Sequence, residues 1–190
     1  GALALLFVAV LVVRVVGFDH MLPHWHEPDA WMPANARMLR KGIEEHDKPR
    51  AFAQYPFLLP GILAVLPDSQ ARPAPQAPLQ QHLGFAGFMF REVRLEIALS
   101  TLLLVPAAFF LARRFMPDGW AVAASALASA SLLLAFMAQQ VRPHASSGPI
   151  YLLAVLAAMR LRERPSSGRA AVAGLATCAA IGCLHSGAAV

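Results

Sequence analysis

The chain has 190 residues, 57% of them hydrophobic and 14% charged, with a formal net charge of +5. A soluble domain carries roughly 25% charged residues, so the composition excludes an ordinary soluble protein and marks a membrane chain. The basic excess sits at the ends of apolar segments, where it is a topology signal and calls for no nucleic-acid partner. Because the chain begins with Gly1 and ends with Val190 inside an apolar run, it reads as a fragment of a longer protein.

The opening run, ALALLFVAVLVVRVV, is apolar except for Arg14. It is short of the roughly 20 residues of a full span but too apolar for a surface helix. A cleaved signal peptide is the rival, disfavoured because no small-x-small cleavage site follows. Arg14 can snorkel to the headgroups or point into a polar cavity.

Next comes GFDHMLPHWHEPDAWMPANARMLRKG, a polar passage rich in acids and histidines. Trp31, Asn35, Met38 and Leu39 recur at spacings of three and four, which predicts a helix with one apolar face. Gly42 is the expected stop. Asp29 stands just before this helix and suits an N-cap, with Pro33 tolerated in the first turn. The same carboxylate can serve as a general base, although a helix N-terminus weakens it in that role. Asp19, His20, His24 and His26 are of the types that ligate a divalent metal, but their spacing matches no named motif. Glu27 lies among them.

Tyr55-Pro56 leads into an apolar stretch ending at Pro67, too short to cross a bilayer and therefore interfacial or re-entrant. From Pro67 to Gln81 the chain is rich in Pro and Gln and reads as an extended linker. HLGFAGFMFREVRLE follows as a second amphipathic piece. With residues 1–17 as the first span, further spans are expected at 96–112, 120–138, 146–160 and 170–190. The fold expected is thus an all-α membrane protein, a bundle of about five transmembrane helices with one large first loop. Arg113, Arg114, Arg160, Arg162, Arg164 and Arg169 fill two connections, whereas the connection between those carries only Arg142. The positive-inside rule makes the first two cytoplasmic and puts loop 18–95 and the loop around His144 outside. Ala, Ser and Gly in the spans let helices approach closely in lipid. Cys178 and Cys183 do not share a helix face and form no metal or redox pair.

Arg142 and His144, on the same side as Asp29, are either interface anchors or a cation pair for a phosphate. Arg94, at the mouth of the second span, is a further candidate of that kind. The order of these features resembles the amino-terminal part of the GT-C membrane glycosyltransferases. The branch in question includes protein O-mannosyltransferases and the lipid A aminoarabinose transferase (glycosyltransferase family 39-like). The resemblance rests on Pro28-Asp29-Ala30, the helix ending at Gly42, Tyr55-Pro56, Arg94-Leu95, Arg113-Arg114 and Arg142-Pro143-His144. Ala30 stands where the family usually has Glu, and Glu27 is the acid that can substitute for it.

The resemblance implies transfer of a sugar from a polyprenyl-phosphate donor to a lipid, protein or glycan acceptor. The reaction would run on the outer face of a bacterial inner membrane. Asp29 would be the base, and Arg142, His144 and Arg94 would hold the donor phosphate; Asp19, His24 and His26 stay candidates for a divalent metal on their residue types alone. The rival is a transporter or a non-catalytic membrane protein whose first loop binds a ligand. Broken helices or several charges inside the spans would favour it, and apart from Arg14 the sequence displays neither.

Overall fold

The computed structural model describes residues 1–16, 31–44, 58–65, 73–138 and 143–183. Every element among the described residues is α-helical: α1 Ala2–Val15, α2 Trp31–Glu44, α3 Leu58–Val65, α4 Leu79–Thr101, α5 Leu104–Ala112, α6 Asp118–Ser129, α7 Leu132–Ala138, α8 Pro143–Glu163 and α9 Ser167–Cys183.

Leu3, Leu6, Val10 and Arg14 lie along one side of α1 at helical spacing, and Val10 packs on Leu102 and Val105. Leu3 also joins Phe109, Ala112 and Ala121 in a second cluster, so α1 runs antiparallel to α4 and α5. The N-terminal half of α6 lies beside the C-terminal half of α5, and Ser125 Oγ donates to the Val105 carbonyl at 2.7 Å. Further packing joins α8 to α9, α5 and α4, and α2 to α3. Much of the buried core is alanine: Ala98, Ala107, Ala121, Ala145, Ala154 and Ala180 are all fully covered. Such contacts give close backbone approach, the way helices associate in lipid. Outward faces carry Leu5, Val13, Leu127, Leu132 and Leu175, all largely exposed. Apolar side chains exposed in such number are what a membrane or a protein partner covers.

Several expected boundaries are corrected. Gly42 does not stop its helix, because α2 continues to Glu44 with Gly42 buried inside it. The linker ends at Pro78, and Leu79–Gln81 already belong to α4, since no proline follows to deny the helix its N–H groups. The second amphipathic piece and the second span form one helical stretch, Leu79–Ala112, of 34 residues. Among the described residues this stretch alone is long and apolar enough to cross a membrane, while Ala2–Val15 and Ser167–Cys183 are apolar but shorter. It is interrupted at Leu102–Leu103. Pro106 has no N–H for the Leu102 carbonyl and its ring crowds that oxygen. The N–H groups of Leu102 and Leu103 turn instead to the carbonyls of Leu99 and Ser100, at 3.1 and 3.2 Å. The third expected span, 120–138, is also broken, between Ser129 and Leu132. Serines on both sides of Ala130 compete with the helical ladder for backbone groups.

The connections at one end of the bundle carry the arginines. Arg113 pairs with Asp118 at 2.8 Å and Arg114 pairs with Glu163. Asp118 in the first turn of α6 and Arg160 and Arg162 in the last turn of α8 also complement the helix dipoles.

Candidate functional site

At the opposite end, α2, α3, α4 and the start of α8 meet. Ala36, Leu63, Val93, Ile97 and Ala145 form one buried cluster there, with Phe90 and Met137 against it. Arg40 of α2 forks onto the end of α3, its guanidinium donating to Leu63 O at 2.7 Å and to Ala64 O at 3.1 Å. Those carbonyls lie in the last turn, where the helix itself supplies no donors. Arg37, one turn earlier, lies 4.2 Å over the Phe85 ring of α4 and also donates to the Met89 sulfur. Cations of α2 therefore tie it to α3 and to α4.

Two of the predicted phosphate ligands flank this cluster. Arg94 follows Val93 and is 3% exposed; Ile97, Ala98 and Thr101 continue its face of α4 at helical spacing. His144 precedes Ala145 in the first turn of α8, exposed, with its carbonyl accepting from Ser147 Oγ at 2.8 Å. The packing of Ala145 with Val93 and Ile97 brings the two helix segments together, with Arg94 buried and His144 exposed. Asp29, Glu27, Asp19, His20, His24, His26, Tyr55, Pro56 and Arg142 lie outside the described residues. Among the described residues no three His, Cys, Asp or Glu side chains are grouped to hold a metal.

Polar groups that the sequence reading passed over line the same part of the bundle. Ser100 of α4 and Ser146 of α8 share a 2.5 Å hydroxyl hydrogen bond. Glu96 lies one turn before Ser100 on the same helix face, its two carboxylate oxygens covered and without a hydrogen-bond partner. Its place in an apolar run, four residues from a serine, is the signal that marks it. Arg14 is 1% exposed, so it points into the bundle and does not snorkel. One of its terminal nitrogens donates to the Ser129 carbonyl at 3.1 Å. That oxygen is freed by the break after α6, and a cation at a helix C-terminus is favoured by the dipole. The other Arg14 nitrogens, Nε and Nη1, and Ser129 Oγ are buried without partners.

The chemistry available here is anion binding. A buried guanidinium with unused donors, as Arg14 has, suits a carboxylate or phosphate. No protein-family model, curated protein or solved structure matches this chain.

Proposed function

We propose that this chain is the amino-terminal part of a GT-C-like membrane glycosyltransferase. Five helical segments, 1–17, 96–112, 120–138, 146–160 and 170–190, cross the inner membrane of a bacterium, and loop 18–95 lies outside. The observation that carries this proposal is the pair of arginines, Arg14 and Arg94, buried to 1% and 3% exposure away from the arginine-rich connections. A guanidinium buried near the end of a span with two nitrogens unpartnered, as that of Arg14 is, suits an anionic ligand.

In the proposed reaction the acceptor hydroxyl gives its proton to Asp29 as its oxygen attacks the anomeric carbon. The bond from that carbon to the donor's phosphate oxygen breaks, and the lipid phosphate leaves with the bonding pair. Arg94, Arg142 and His144 neutralise the departing charge, and inversion follows from attack opposite the leaving group. Glu27 supplies the second acid that Ala30 lacks.

The test is Asp29→Asn in the full-length protein. Asn caps a helix almost as well as Asp but cannot take a proton. Membrane insertion and thermal stability should stay at wild type while sugar transfer falls about a hundredfold or more. Transfer at the wild-type rate would reduce Asp29 to a cap.

Transport is the second function to weigh, because the helices are interrupted at Leu102–Leu103 and after Ser129, with Arg14 and Glu96 buried nearby along the bundle. Interrupted helices with buried charge are features of transporter binding sites. Purified protein in sealed vesicles distinguishes the two: sugar appearing on acceptor supports transfer, and solute flux without transfer supports transport.

A further inference from the structure

A cleft of about 710 Å³ opens between α5, α8 and α9. Its walls include Pro106, Phe110, Leu153 and Val172, and it carries Arg160 and Arg169 at one end. Because α8 and α9 run antiparallel, both arginines sit at the same mouth. Leu153 and Ala176, each seven positions further along its helix, lie about 10 Å deeper. Among the described residues no carboxylate pairs with the two arginines at this mouth. Of the cations at this end, Arg113 and Arg114 are each paired with a carboxylate. The Arg169 guanidinium donates to a backbone carbonyl, that of Arg164, at 2.7 Å. Arg160 has no carboxylate partner among the described residues. An apolar slot with two uncompensated guanidinium groups at its rim has the chemistry of a single anionic amphiphile.

We infer that this cleft binds an anionic phospholipid, one acyl chain lying between α5, α8 and α9 and the headgroup phosphate resting on Arg160 and Arg169. The occupant comes from the leaflet that meets the arginine-rich end, opposite to the end proposed for sugar transfer. The inference rests on the membrane placement but not on the transferase reaction, so either can fail alone.

The test uses full-length protein purified in detergent and freed of lipid, with adducts counted by native mass spectrometry. Dioleoyl phosphatidylglycerol should be retained and dioleoyl phosphatidylcholine should not. The double substitution Arg160→Gln with Arg169→Gln should weaken phosphatidylglycerol retention roughly tenfold or more, while Arg162→Gln with Arg164→Gln leaves it unchanged. Ala176→Phe, which fills the slot and leaves both arginines in place, should also abolish retention. Equal retention of the two lipids would overturn the inference, as would absence of any phosphatidylglycerol adduct on the wild type. So would full binding by either the Arg160/Arg169 variant or Ala176→Phe. Millimolar inorganic phosphate should fail to displace the lipid, and complete displacement would show that the apolar slot contributes nothing.

Discussion

Replacing Arg40 with Met tests whether α3 is held in place by its fork. An eight-residue helix has almost no stability of its own, and Arg40 supplies two charged donors to its last turn at 2.7 and 3.1 Å. A hydrogen bond to a charged group contributes about 1.5–3 kcal/mol. A cation at a helix C-terminus adds about 0.3–1 kcal/mol. Arg40 is only partly buried, so water replaces some of what is lost, and a total of about 2–4 kcal/mol is expected. The assay is amide hydrogen exchange over Leu58–Val65. Local protection should fall by a factor between about thirty and several hundred, since about 1.4 kcal/mol corresponds to tenfold. Exchange in α9 should hardly change. Arg40→Lys keeps the charge but cannot fork, so its loss should be about half as large in free energy. If Arg40→Met leaves α3 protection within about threefold of wild type, the fork contributes nothing measurable and α3 is held by its apolar contacts alone.

Gly182→Val should destabilise the protein by about 1–3 kcal/mol in thermal unfolding, because a Cβ there would stand 3.2 Å from Leu58 Cβ. Gly182→Ala should be close to neutral, as its gain in helix propensity of about 1 kcal/mol offsets the squeeze; a large loss would mean that α3 cannot yield at all. Ser125→Ala should cost about 1 kcal/mol by removing the buried bond to the Val105 carbonyl, and an unchanged melting temperature would show that the bond adds nothing. A cysteine at Ser69 should react with an impermeant thiol reagent in whole cells and one at Ser166 should not, the basis being the arginine-rich connections; equal labelling of both would refute the proposed orientation.

The helical character is legible in the sequence because apolar runs bounded by Pro78, Pro117 and Pro165 leave little else for the chain to form. Breaks inside such runs are harder to see. At Leu102–Leu103 the cause, Pro106, is visible, but proline is common enough in membrane helices that an interruption does not follow from it. After Ser129 the run of Ala and Ser is compatible with an unbroken helix, and tertiary contact with Arg14 coincides with the actual end. The direction of Arg14 is likewise undecidable from α1 alone, since snorkelling and burial place the same residue at the same position in the chain. Leu79–Gln81 are masked by composition: their glutamines resemble the preceding linker, yet glutamine is a good helix former. Of the candidate site, Arg94 and His144 fall on segments the fold brings together. Glu96, Ser100 and Ser146 become visible only once α4 and α8 are paired, because each alone is an ordinary polar residue on a helix.

The length of the Leu79–Ala112 stretch has a geometric corollary. At 1.5 Å per residue, 34 residues extend to about 51 Å, against roughly 30 Å of hydrocarbon in a bilayer. Set upright in a bilayer, the stretch would protrude by about 20 Å, and its free end is the part that carries Phe85 and Met89, the groups gripped by Arg37. In a membrane α4 would act as a post to which α2 is fixed at two heights, by Arg37 on Phe85 and Met89 and by Ala36 in the cluster of Val93 and Ile97.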